Sequence, residues 1–268
     1  MKKRITKTIS ILMVCVLSII LMSTSAFANT SSPPYKTPKI YGYYYSFTSE
    51  VWDRYLNPPT VEAVAQIEAR NLFGLTNVPI GYMGGQARLF NSSGSLKASS
   101  SMTYNNYSCA VNIVYSPRIS TPGQYYAQNK AEFYNGNGYT TYTGYKSPIL
   151  TLSSSKSAST TETSEVINDL MLQTEYSLNS NGETYGSALS EYTIGVEPDL
   201  ISAVGTNGAE GYVRANDLKP NVYSIKQAIE QTGNNGDIRT IAIYDVDGTT
   251  VLGEFELITH YELVTDAE

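Results

Sequence analysis

GETYGSALSEYTIGVEPDLISAVGTNGAEGYVRANDL, Gly182–Leu218, holds the densest run of structural signals in the chain. Asp199–Gly205 reads as a strand, Thr206-Asn207-Gly208 as a tight turn, and Glu210–Ala215 as the returning strand. Asn-Gly supplies the positive φ angles that such a turn needs. A second hairpin follows in IRTIAIYDVDGTTVLGEFELI. Its turn is Val246-Asp247-Gly248-Thr249, and Ile241, Ile243 and Tyr244 are expected to face Val251–Leu257. Between the hairpins, SIKQAIEQTG reads as a helix, with Ser224 and Gln227 at capping-box spacing and Gly233 closing it. Upstream, SEVINDLMLQTEYSL reads as a short helix capped by Ser164, and Asn179–Gly182 as a turn into the strand ETYGSAL. Residues 165–268 thus read as a small, acidic α+β module.

Working towards the N-terminus, Ser153–Ser164 (SSSKSASTTETS) is a Ser/Thr-rich linker, and residues 151–164 are taken as the domain boundary. Residues 41–150 read as a tyrosine-rich antiparallel β-sandwich domain, so the chain is mainly β overall. Its strands are VPIGYMGGQARLF paired with SLKASS, a long alternating run MTYNNYSCAVNIVYSP, and two tyrosine-rich strands around Asn135–Gly138. One helix is expected, from the cap Thr60 through TVEAVAQIEARNLFG to Gly74. Residues 29–40 read as a disordered leader. Sixteen of the 23 tyrosines lie between Tyr35 and Tyr145, which marks this half by its amphipathic rings rather than by a plain aliphatic core.

The first residues point to export. Lys2, Lys3, Arg4 and Lys7 precede the apolar run Ile9–Met22, and Ala26-Phe27-Ala28 offers a cleavage site. That pattern is a secretory signal peptide over residues 1–28. Its loss removes four cations from a chain of net charge −6 and leaves −10. The charge divides unevenly: residues 29–161 hold ten Lys and Arg against five acids, and residues 162–268 hold four against nineteen. Two halves of opposite sign attract each other. Once Cys15 leaves with the signal, Cys109 is the one remaining cysteine, so no intramolecular disulfide forms. Cys109 alternates with Val111, Ile113 and Tyr115 and is expected to point inward and be inert, with an intermolecular disulfide as the alternative.

Most familiar chemistry finds no support. His260 is the one histidine, so neither a HExxH zinc helix nor a Ser-His-Asp triad is available, and Cys-His catalysis would need Cys109 to meet His260 with no signature around either. Asp245-Val246-Asp247-Gly248 lacks the remaining acids of an EF-hand loop and reads as a turn; weak calcium binding by the acidic half stays open. Glycoside hydrolysis needs only two carboxylates. The tyrosine-rich half offers Glu50, Asp53, Glu62, Glu68 and Glu132, with nothing to single out a pair. No catalytic residue, metal ligand or cofactor is assigned. The remaining candidate site is a speculative ligand-binding aromatic face of Tyr125, Tyr126, Tyr134, Tyr139, Tyr142 and Tyr145, rings that stack on sugars or pack on a protein partner.

The segments GYVRANDL and YDVDGTTVLGEF, within residues 179–257, resemble a C-terminal module of uncharacterised secreted proteins of Gram-positive bacteria. That module is sometimes labelled after the M56/BlaR1-type peptidase. The label implies a metallopeptidase sensor, whereas the zinc helix and multiple membrane spans of that family are missing from this sequence, so no catalytic residue carries over. GTNGAEGYVRANDL is also similar to the closing hairpin of bacterial SH3-like wall-binding domains. VPIGYMGGQARLFNSSG and YYAQNKAEFYNGNGY resemble other secreted Gram-positive proteins of unknown role.

The expected function is that of a secreted, non-enzymatic bacterial protein, extracellular or loosely wall-associated, binding at the cell envelope or to an extracellular polymer. The expected partners are cell-wall polymer or an extracellular protein, not nucleic acid, and not a membrane once the signal is removed. The alternatives are a carboxylate-dependent extracellular hydrolase and a secreted bacteriocin-like factor or inhibitor.

Overall fold

A computed structural model describes residues 29–54, 56–153, 159–161, 165–219 and 221–265. Residues 1–28, where a signal peptide is expected, and part of the expected Ser/Thr-rich linker, including the expected cap Ser164, lie outside the described residues. The strands in chain order are β1 (Thr30–Ser31), β2 (Tyr35–Lys36), β3 (Tyr44–Asp53), β4 (Val61–Asn71), β5 (Gly74–Leu75), β6 (Met83–Gln86), β7 (Arg88–Asn91) and β8 (Leu96–Ser100). There follow β9 (Thr103–Tyr104), β10 (Val111–Tyr115), β11 (Gly123–Ala127), β12 (Lys130–Tyr134), β13 (Tyr139–Thr143), β14 (Ile149–Leu152) and β15 (Ser159–Thr161). The last are β16 (Ser177–Leu178), β17 (Thr184–Gly186), β18 (Leu200–Val204), β19 (Glu210–Arg214), β20 (Ile238–Tyr244), β21 (Val251–Ile258) and β22 (Tyr261–Val264). The fold is mainly β, and nearly all its pairings are antiparallel.

Three sheets arise. One runs β1-β3-β4-β10-β22, with β2 on β3 and β5 on β4; a small one runs β13-β12-β6-β9; the largest runs from β15 through β14, β11, β7, β8, β21, β20, β19, β18 and β17 to β16. The first sheet packs against a second layer that the other two share. Tyr45 of β3 stacks on Phe133 of β12 at 4.0 Å between ring centroids, across the two layers. Alternation explains the inner face of β4: Val61, Ala63, Ala65, Ile67 and Ala69 are all fully buried.

That strand corrects the expected helix at 60–74. Ala, Glu, Gln and Arg favour helices, but apolar residues fall at every second position from Val61 to Ala69, and β3 pairs with ten residues of the strand. Tertiary pairing overrides propensity here. The leader expected to be disordered supplies β1 and β2, both paired to β3. The expected long strand Met102–Pro117 is broken into β9 and β10 in different sheets. At the break the buried Asn105 accepts from Met83 N and donates to the carbonyls of Pro79 and Tyr107.

Both C-terminal hairpins form as read, β18–β19 and β20–β21, and so does the helix Ile225–Thr232, where Ser224 Oγ accepts from Gln227 N. The expected division at 151–164, however, is crossed by strand pairing. β22 joins β10, and β21 and β18 both pair parallel with β8. The strands β8, β21, β20, β19 and β18 therefore close into a ring. Its interior holds Leu96, Ile201, Ala203, Val213, Ile241, Ile243, Phe255 and Leu257, in one core with Phe90, Tyr126 and Ile149 from the tyrosine-rich half. Ile241, Ile243 and Tyr244 lie opposite Phe255, Gly253 and Val251 of the partner strand, as expected, and the Tyr244 ring sits under the Arg214 guanidinium at 5.3 Å.

Two glycines of the opening stretch answer to this closure. A Cβ on Gly211 would lie 2.5 Å from the Tyr244 carbonyl oxygen, and one on Gly205 2.7 Å from that of Glu254. Backbone cannot yield as a side-chain tip can. Gly211→Ala is expected to cost about 1–3 kcal/mol in urea unfolding. Gly182→Ala, at φ 78° with open space around it, should cost only about 1 kcal/mol.

Candidate functional site

Two strand pairs change sheets at one place, and the site is built there. β6 passes into β7 at Ala87, and β11 passes into β12 at Gln128-Asn129. A buried break in the ladder leaves backbone groups that need partners. Side chains supply them. Ser100 Oγ accepts from Ala87 N, Ser147 Oγ from Ala127 N, and Ser49 Oγ from Asn129 N, each at 2.9 Å. The Asn129 amide accepts from Arg88 N at 2.9 Å and donates to Val64 O at 2.6 Å.

The corner aims two cations the same way. Arg88 and Lys130 are among the buried residues, and Glu197 meets both. Arg88 Nη1 lies 2.5 Å from Glu197 Oε1, and Lys130 Nζ 2.9 Å from Glu197 Oε2. Lys219 Nζ, half-exposed, reaches the same Oε2 at 3.2 Å. A second carboxylate, Glu191, lies 3.3 Å from Lys130 Nζ and accepts from Thr143 Oγ1 at 3.0 Å. Local geometry delivers both glutamates. A helical turn, Glu191–Ile194, ends on Gly195 at φ 88°, whose N–H returns to Glu191 O and whose left-handed conformation turns the chain so that Glu197 reaches the cluster.

Burial alone would push the Glu197 carboxyl up, but Arg88, Lys130 and Lys219 outweigh it and hold the group far below the carboxylate range. Lys130 shifts down: burial dominates, and its attraction to Glu197 and Glu191 is opposed by Arg88 and Lys219. The shifts differ in kind because Glu197 faces three cations, whereas Lys130 shares its carboxylates with two others. Glu197 therefore stays anionic. Arg88 Nη2 and Gln128 Oε1 are buried without a hydrogen-bond partner among the described residues.

Above the cluster opens a groove of 440 Å³. Gln128, Lys130, Glu191, Glu197 and Lys219 line it together with Thr141 and Thr143, and Tyr35, Tyr142, Tyr145 and Tyr192 are its rings. Tyr35 packs on Tyr142 at 5.7 Å and on Tyr145 at 5.4 Å. Tyr145 is 42% exposed and Tyr192 62%.

The six rings expected on one face are therefore distributed over three places. Tyr142 and Tyr145 line the groove. Tyr134 and Tyr139 pack on each other at the turn end of the β12–β13 hairpin, beside Tyr41 and Tyr82. Tyr125 and Tyr126 are core, which corrects their assignment to a binding face: Tyr125 donates to Thr121 O at 2.7 Å, and Tyr126 stacks on Phe90 at 5.3 Å. Both faces of β11 are covered, so alternation gives it no free side. Sequence reading missed Arg88, Lys130, Glu191, Glu197 and Lys219. The one signal was Arg88 inside an otherwise apolar strand, ARLF, and its partner Glu197 lies 109 positions away.

Other candidates resolve locally. Asp247 closes its turn through Thr249 N and Thr250, and the Thr250 hydroxyl foremost draws its pKa down to about 2. Cys109 is buried, bridged to Val78, and burial raises its thiol to about 12. His260 packs on Tyr115 at 4.7 Å. In the tyrosine-rich half, Glu62 is held by Arg54 and Arg118, Glu68 by Arg70, Glu50 by Trp52, and Glu132 by Tyr104 and Thr141. No protein family, curated protein or solved structure matches this chain.

The cluster makes a prediction with a definite sign. A carboxyl whose folded pKa lies below its ordinary 4.5 adds stability above that value, lost as pH falls through the folded pKa. Glu197→Gln leaves the buried Arg88 without a carboxylate and Lys130 with Glu191 alone, and should cost about 3–5 kcal/mol in urea unfolding at pH 7. The gap to the parent protein should narrow steadily below pH ~4.5. A gap independent of pH would contradict this account.

Proposed function

We propose that the protein is a secreted, non-enzymatic binding protein of the bacterial envelope, and that the groove above Lys130 takes a segment of extracellular saccharide polymer. The observation that carries this reading is the pairing of two kinds of surface. Tyr142 and Tyr145, propped by Tyr35, form an aromatic wall, and a fixed polar floor of Gln128, Lys130 and Glu191 lies beside it. Rings offer a flat apolar face to a sugar, and a few placed polar groups set its orientation.

Glu191 and Glu197 share Lys130 Nζ, which brings the hydrolase reading into view. A glycosidase needs one carboxyl protonated and the other free to attack or to activate water. Glu197, clamped by three cations, fits neither role, so the arrangement favours binding over hydrolysis.

The test is retention of the chain from Asn29 on isolated peptidoglycan, with and without teichoic acid. Tyr145→Ala should weaken retention by roughly tenfold while leaving thermal unfolding nearly unchanged, and Tyr142→Ala should weaken it similarly while also lowering thermal stability, because that ring packs on core Phe133. Absence of retention on both preparations would overturn the reading.

A further inference from the structure

The strand β4 turns into β5 through Leu72-Phe73 alone, with Arg70 opposite Leu75 and Asn71 opposite Gly74. Two-residue hairpin turns ordinarily carry Gly, Asn or Asp. Here Asn71 Oδ1 accepts from Phe73 N at 2.7 Å, and Gly74 takes φ 140°, so the flanking residues close the turn. The apex is left to two large apolar side chains, Leu72 at 87% and Phe73 at 97% exposure. Neither serves the fold.

They are not isolated. Register puts the start of β3, the end of β4, the start of β10 and the end of β22 at one end of the seven-stranded sheet: Tyr44 opposes Arg70, and Val111 opposes both Glu68 and Val264. Tyr44, Leu75, Tyr107 and Val264 are each exposed there. An apolar tip with tyrosines behind it has the composition of side chains that seat at a bilayer interface. Next to it lies a depression of 620 Å³ lined by Lys36, Tyr44, Gln66 and Arg70. Arg70 is engaged by Glu68 at 2.7 Å, while Lys36 is exposed. Lys36, exposed beside this depression, supplies the sign that anionic headgroups attract.

We propose that the β4–β5 tip inserts into the interface of an anionic lipid bilayer, with Leu72 and Phe73 in the acyl boundary and Lys36 at headgroup level. A protruding convex tip suits a lipid surface, whereas a protein partner would meet a broader face. This surface is independent of the saccharide groove and runs against the expectation of no membrane contact.

The test is flotation of the chain from Asn29 with vesicles of phosphatidylcholine alone and of phosphatidylcholine with phosphatidylglycerol. Binding is expected to the anionic vesicles and to fall with added salt. The variant Leu72→Asp with Phe73→Asp should lose it at least tenfold, while Tyr142→Ala keeps it. Phe73→Trp supplies a second readout, a blue-shifted emission on adding anionic vesicles. Trp52, at the opposite end of β3, provides the constant background. No flotation with either vesicle, or an unshifted Phe73→Trp spectrum, would overturn the proposal. So would self-association that Phe73→Asp abolishes in the absence of lipid binding, which would make the tip a contact between copies.

Discussion

The structure turns on the corner where β6 passes into β7 and β11 into β12. A continuous strand carries its hydrogen bonds in the ladder, but a strand that changes sheets must satisfy its backbone by other means. The Asn129 amide, bonded to Arg88 N and Val64 O, and the hydroxyls of Ser49, Ser100 and Ser147 do this inside the protein. Once the corner is fixed, Arg88 and Lys130 have no freedom to point elsewhere. Two buried cations then require an anion, and Glu197 from the C-terminal half is the group that meets them.

The same pair explains why the halves form one body. The tyrosine-rich half is cationic and the C-terminal half strongly acidic, an asymmetry that screened surface charges alone would not turn into a defined interface. Burial changes that. Arg88 and Glu197 interact with almost no water between them, and the pair adds register to the general attraction. Strand pairing completes the union: β8 is held by β18 and β21, and β10 by β22. The groove lies over this junction, with rings from β13 and the segment after it on one side and the Glu191–Glu197 segment on the other.

Much of the fold was legible where local chemistry dominates. Asn207-Gly208, Asp247-Gly248 and the Ser224–Gln227 cap placed two hairpins and a helix correctly because turns and caps depend on neighbouring residues. The errors lie where distant chain decides. Residues 61–71 carry helix formers, yet β3 and β10 flank them and make them a strand. Thr30 and Tyr35 sit in a polar leader that becomes ordered by pairing with β3. For the site, composition pointed to tyrosines, and two of the six line the groove. Which two depends on the corner, because the chain between Tyr126 and Tyr142 leaves one sheet for another. The charged floor was hidden for the same reason: nothing local distinguishes Glu197 from the eighteen other acids of its half.

The central claim is that Arg88 and Glu197 act as one unit joining the halves. A double-mutant cycle between Arg88→Met and Glu197→Gln, read by urea unfolding at pH 7, tests it most directly. The account predicts a coupling energy of about 2–3 kcal/mol, with the double variant no less stable than the worse single one. A coupling energy indistinguishable from zero, with additive losses, would contradict it.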